Sequence, residues 1–221
     1  MYFNFSVFSA IMDGKGVRRM KKLLLTGFEP FLDYTVNPTM KIVEELDGEN
    51  IAGYQIVGKV LPVDFNQSGK LFLSYIEEVK PEAAVSLGLA AGRYKITPER
   101  IAINFKDGAP DNKGHKPVDE PIEKAGEPAY LSTLPIRKMV ERLIQNGLPA
   151  EISNTAGAYL CNNIMYEGLH LASVKQLNMP TGFIHIPASH ELGIQHGSIP
   201  SWPHSDLAKG IRLCIEAMAA E

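Results

Sequence analysis

Ser153-Asn154-Thr155-Ala156-Gly157-Ala158-Tyr159-Leu160-Cys161-Asn162-Asn163 decides the reading of this chain. The residues before it, 149–153, read as the end of a β-strand. Small and polar residues follow, and then an apolar pattern of helical period is expected over 158–173. A strand that runs through a short loop into a helix is the repeating unit of an α/β fold. The loop also leaves Cys161 near a helix start, where unpaired N–H groups and the positive end of the helix dipole favour a thiolate and developing negative charge. Cys161 is therefore a candidate nucleophile. Ile164, Met165 and Gly168 follow it at helical spacing, so a small buried hydrophobe is the competing reading.

The same alternation extends outward in both directions. Strands are expected at 22–26, 54–61, 83–89, 99–104, 150–153 and 181–186. Helices are expected between them: one opened by Asn37-Pro38, then 65–79, 134–146 closed by Gly147, 158–173 and 204–220. Residues 105–134, rich in Asp, Asn, Lys, Gly and Pro, read as one long loop of the kind that carries function or an interface. The architecture implied is a single α/β domain over 20–221, a twisted, largely parallel or mixed sheet covered on both faces. Residues 1–19 read as an N-terminal extension of doubtful role, because Met20-Lys21-Lys22 before a leucine run looks like a natural start.

Composition narrows the function classes. The 221 residues are 45% hydrophobic and 21% charged, with a net charge of -3, which gives no basic surplus for nucleic acid. Two cysteines do not make a disulfide framework and suit a reducing compartment. No apolar run approaches the ~20 residues that span a bilayer. The apolar stretch 3–12 precedes its basic cluster (Lys15, Arg18, Arg19, Lys21, Lys22), the reverse of a secretory signal.

A nucleophilic Cys needs a base and the base needs an orienting acid. Of six histidines, His185 lies near the C-terminal end of an expected strand, where open α/β sheets gather ligands. A hydrogen-bonded core histidine is the alternative there. His190, His196 and His204 read as surface residues of a Gly/Pro/Ser-rich loop, and His170 as packing or surface. None of their spacings matches a metal-ligand set, so no metal is expected. Glu99 shares strand parity with Ile101 and Ile103 and is expected on a buried face, paired either to an imidazole or to Arg93 or Arg100. An exposed strand start is its other reading. Phe28 and Phe31 lie in a loop after the first strand and are candidates to line a pocket or to fill core. Cys214 shares a helical stripe with Leu207, Ile211, Ile215 and Met218 and reads as core.

These pieces, in order, resemble the pyroglutamyl peptidase I (pyrrolidone carboxyl peptidase) family of cysteine peptidases. The matching motifs are TGFEPF at 26–31, NP at 37–38, GLAAGR at 88–93, ERIAIN at 99–104, PDN at 110–112, DEP at 119–121, SNTAGAYLCN at 153–162 and GFIHIP at 182–187. The resemblance implies an α/β/α sandwich and a catalytic triad of Glu99, Cys161 and His185. It implies removal of N-terminal pyroglutamate from peptides, no cofactor, a cytosolic location and often a homotetramer. Phe28 and Phe31 would then sandwich the lactam ring, and backbone groups of the long loop and of the turn at 88–93 would read its amide. The run Asp107-Gly108-Ala109-Pro110-Asp111-Asn112 departs from the family's Ala-Arg-Ile-Pro-Asp-Asn before the shared Pro-Asp-Asn and lacks its Arg. If that Arg holds the oxyanion or the substrate, turnover here is expected to be weaker or the pocket differently shaped. The alternatives weighed beside a peptidase are a pyroglutamyl-binding protein with lost catalysis and a thiol amidase of other acyl specificity.

Overall fold

Leu23, Leu24 and Leu25 are all completely buried, so the strand that carries them is covered on both faces. That is the environment of a parallel sheet packed between helical layers. The computed structural model describes residues 11–12 and 18–219. Of the expected extension 1–19, only the antiparallel pair β1 (Ile11–Met12) and β2 (Arg18–Arg19) is described, and the rest lies outside the described residues. The further elements are β3 (Lys21–Phe28), α1 (Pro38–Leu46), β4 (Asn50–Ile51), β5 (Tyr54–Leu61), α2 (Ser68–Val79), β6 (Ala83–Leu89), β7 (Thr97–Pro98), β8 (Ile101–Ile103) and β9 (Ala129–Leu131). The chain closes with α3 (Ile136–Gln145), α4 (Leu160–Val174), β10 (Thr181–Ile186), β11 (Ala188–Ser189), α5 (His190–His196), β12 (Ser201–Trp202) and α6 (His204–Glu216).

The main sheet has the order β4-β5-β3-β6-β10-β7. Its four central strands are parallel, and the short edges β4 and β7 are antiparallel. Side chains alternate across it. Leu23 and Leu25 join Ile42, Leu46, Met139, Ile211 and Cys214 under α1, α3 and α6. Leu24 joins Phe72, Ile76, Ile164 and Phe183 under α2 and α4. The result is the expected three-layer sandwich, with Cys214 in its core.

The helix signals act as their chemistry suggests. Asn37 caps α1, its side chain accepting the Thr39 N–H, with Pro38 in the first turn. Gly147 follows α3 with a positive φ of 78°, the conformation glycine tolerates best.

Four expectations are corrected. The strand expected over 99–104 divides at Arg100. Before it, residues 97–99 pair with β10, and after it β8 pairs with β9. Parity therefore does not carry across: Glu99 and Ala102 are buried, whereas Ile101 is half-buried and Ile103 exposed. The long loop contains β9, which returns as β8's antiparallel partner. The histidine-rich loop near the C-terminus contains helix α5, with Leu192 buried. The expected strand 150–153 is present as two parallel bridges, Ala150 to Ile96 and Ser153 to Glu99, along the outer edge of β7.

Candidate active site

The C-terminal ends of β3, β6 and β10 lie along one edge of the sheet, because these strands are parallel. Chain order reverses between β3 and β6, and ligands in open α/β sheets bind at such a point. The loop 153–159 delivers the start of α4 to this edge. Its turns are held by Ser153 Oγ accepting the Thr155 N–H (3.3 Å) and Thr155 Oγ1 accepting the Gly157 N–H (3.1 Å). Tyr159 caps α4 in an extended conformation without a side-chain cap bond, so the first N–H groups of the helix remain available. Cys161 is the second residue of that helix.

Asn162 sews the helix start to the adjacent backbone. Its Oδ1 accepts the Ile103 N–H at 2.9 Å, and its Nδ2 donates to the carbonyls of Ile103 and Phe105, both at 2.9 Å. The helix start that carries Cys161 is thus tied to β8. On the sheet below, a methyl group added at Gly88 would meet Cys161 Sγ at 2.9 Å and the Phe183 ring at 2.6 Å. Glycine at 88 is what lets the sulfur lie this close to β6. Gly88 stands directly opposite His185 in the β6–β10 ladder.

His185 is buried, and its Nδ1 lies 2.7 Å from Glu99 Oε1. A carboxylate only accepts, so Nδ1 carries the proton and Nε2 has a free lone pair. Glu99 is fully buried, and the same Oε1 accepts a second hydrogen bond, 2.7 Å from Arg93 Nη1. The imidazole and the guanidinium, weighed as alternative partners in the sequence, are both present. Arg100 turns away and donates from Nε to Asn154 Oδ1 at 2.7 Å.

Charge and burial set the protonation states. Burial works to raise Glu99, but the hydrogen bonds from His185 and Arg93, with the charge on His185, hold it below its ordinary value. Burial lowers His185 more than Glu99 raises it, with the Arg93 charge adding to the lowering. Burial pushes the Cys161 thiol up to about 12, assisted by the Glu99 charge and opposed by its own N–H and by Arg93. Near pH 7 the resting site therefore holds a thiol, a neutral imidazole and a carboxylate.

Phe28, Phe31, Asn37, Val63, Leu89, Tyr159, Leu160 and Cys161 line one narrow cleft. The two phenylalanines singled out in the sequence thus open onto the sulfur. Phe28 is buried and Phe31 half-buried. Sequence reasoning missed Tyr159, whose ring packs 5.2 Å from Phe65 and 6.4 Å from Phe31. Its signal was its place, two residues before the cysteine. The Tyr159 hydroxyl donates to the Pro110 carbonyl at 3.1 Å, which ties the 107–112 segment to the cleft wall. Asp111 accepts the N–H groups of Phe65, Lys113 and His115, each at 2.9 Å, and Asn112 Nδ2 reaches Glu29 Oε1 at 3.0 Å. At the other end the Asp107 N–H donates to the Ala158 carbonyl at 2.9 Å, so the segment is anchored at both ends.

The other histidines stand apart from this site. His115 packs against Phe65, His170 meets the Tyr130 hydroxyl, His190 meets Ser201, His196 packs on Tyr34 and His204 meets Glu45. Among the described residues, no group of three or more His, Cys, Asp or Glu side chains has the arrangement to hold a metal ion. None of the described helices is long and apolar enough to cross a membrane.

A family model described as pyroglutamyl peptidase matches residues 21–221. The pyrrolidone-carboxylate peptidase of Lysinibacillus sphaericus is 62% identical over 197 residues, spanning 89% of this chain and 96% of that protein. The protein of the same name from Oceanobacillus iheyensis is 54% identical over 196 residues, 89% of this chain and 98% of that one. The solved structure of the pyrrolidone carboxyl peptidase from Thermococcus litoralis superposes with a TM-score of 0.87 at 40% identity, covering 90% of this chain and 93% of that chain. With the match running through both strand ends and the helix start that build the site, the chain belongs to the pyroglutamyl peptidase family.

Proposed function

We propose that this chain is a cysteine exopeptidase that removes N-terminal pyroglutamate from peptides, with Cys161, His185 and Glu99 as its catalytic residues. The observation that carries the reading is Cys161 Sγ lying over Gly88, the residue opposite His185, at the mouth of the Phe28–Phe31 cleft. Pyroglutamate is a flat, uncharged lactam, which suits an aromatic slot and gives an ordinary amine-binding site nothing to hold. His185 Nε2 takes the thiol proton as Sγ attacks the pyroglutamyl carbonyl carbon. The Cys161 N–H, at the uncapped start of α4, donates to the oxyanion. The tetrahedral intermediate collapses as its C–N bond breaks, and His185 gives its proton to the departing amine. Water then attacks the thioester while His185 accepts its proton. Pyroglutamate leaves and the thiol is restored. Glu99 keeps the imidazole oriented throughout and stabilises the imidazolium.

Release of a reporter amine from a pyroglutamyl amide tests this, with Cys161→Ser as control. Thiol-dependent release is expected, with little from glutamyl or prolyl amides. Binding without turnover, or equal turnover of the three amides, would refute the reading. The catalytic domain is taken as 20–221, in line with the matched span. A cytoplasmic location fits two cysteines that are both free. A homo-oligomer, tetramer or dimer, is expected and is read out by light scattering.

A further inference from the structure

We propose that Arg93 is a positioning residue that holds Glu99 in place and sets the pH at which the Cys161–His185 pair becomes competent. The inference rests on the peptidase reading above and adds a group to it. Arg93 touches three separate parts of the site's frame. Its Nη1 donates to Glu99 Oε1 at 2.7 Å and to Thr97 Oγ1 at 2.6 Å, and its Nη2 donates to the Thr155 carbonyl at 3.3 Å. It thereby joins the turn after β6, the strand carrying Glu99 and the loop that delivers α4. The fork of a guanidinium makes such a three-way junction, whereas an ammonium does so poorly.

The charge has its own effect. Glu99 is fully buried, while the Arg93 side chain is 33% exposed. A buried carboxylate that faced the imidazole alone would hold a proton on it strongly. The guanidinium on the same oxygen offsets part of that negative charge, so the imidazole stays neutral and ready to accept a proton. Among the described residues, the charged and titratable groups that act on His185 and Cys161 are Glu99 just after β7, Arg93 from the turn after β6, Cys161 and His185 themselves, and the Tyr159 hydroxyl, which lines the same cleft and interacts with the Cys161 charge. The groups titrate as one coupled set, and the acid limb of kcat/KM reports the set.

The test compares wild type, Arg93→Gln and Arg93→Lys in two measurements. One is kcat/KM against pH for the pyroglutamyl amide. The other is NMR titration of the His185 imidazole, which requires no turnover. In Arg93→Gln the acid limb and the imidazole titration should both move up by about one pH unit, so that activity at the acid end falls about tenfold. Arg93→Lys keeps the charge and loses the fork. Its titration should stay near wild type while kcat falls. Should Arg93→Gln not fold, Arg93→Met is the second neutral variant, and thermal melts report folding for each. An unmoved titration in the neutral variant overturns the proposal, as does an equal movement in the lysine variant, since geometry and not charge would then be responsible. A wild type that releases no amine would refute the peptidase reading instead, and the NMR titration would still judge this one.

Discussion

A single methyl group at Gly88 should damage both the fold and the reaction. In Gly88→Ala the new Cβ would lie 2.6 Å from Phe183 Cε1, 2.8 Å from Cζ and 2.9 Å from Cys161 Sγ, where ordinary contact begins at 3.4 Å. The ring would have to retreat by about 0.8 Å and the sulfur by about 0.5 Å to clear it. Phe183 is fully buried between β6 and α4, with Ile164 and Met165 in the same cluster, so it has nowhere to go without moving its neighbours. Overpacking of this kind costs about 1–3 kcal/mol. For a chain of this size 2 kcal/mol corresponds to a Tm lower by about 4–8 °C. Misplacement of a reacting atom by 1 Å can cost about a hundredfold, so half that distance should lower kcat about tenfold. Differential scanning calorimetry and steady-state kinetics on the pyroglutamyl amide read the two effects. An unchanged Tm would refute the packing argument. A lowered Tm with full kcat would show that the sulfur does not depend on the glycine.

Four further outcomes follow from the same geometry. Because burial lowers His185 below its ordinary value of about 6.5, the neutral base should persist below that pH, and the acid limb of kcat/KM should lie beneath it. The same lowering means that the unfolded chain takes up this proton first, so its contribution to stability is full above about 6.5 and is lost as pH falls, which urea melts at stepped pH would check. Phe31→Ala removes a half-buried cleft wall and should raise KM more than it lowers kcat or Tm, whereas an unchanged KM would remove Phe31 from the pocket. Asn162→Ala breaks three hydrogen bonds and leaves the Ile103 N–H and two carbonyls without these partners, so about 1–3 kcal/mol of stability and much of kcat should go together. Loss of stability alone would show that β8 does not hold the cysteine in place.

Much of this molecule is local in origin and was legible residue by residue. The runs 54–61, 83–89 and 181–186 become strands with those same limits, since each carries the strand period or a buried run between turn residues. Asn37-Pro38 and Gly147 mark helix ends by their own backbone chemistry. Cys161 near a helix start and His185 near a strand end were visible for the same reason. Where local pattern met a change of partner, it failed. Glu99 is buried as expected, yet not with Ile101 and Ile103, because the chain leaves β10 at Arg100 and pairs elsewhere. Parity holds only within one ladder. Helix α5 was missed because its seven residues bury one side chain, Leu192, too little to print a period on the sequence.

The sequence by itself determined the main strands and helices, their order, most buried stripes and the residue types that chemistry requires. Only the tertiary structure decided that Glu99 and His185, 86 positions apart, share a hydrogen bond, and that Arg93 shares the same oxygen. It also decided that the sulfur rests on Gly88. These contacts depend on ladder register and on how closely α4 approaches β6. Both are set by the packing of two helical layers on one sheet, and no stretch of ten residues contains that information.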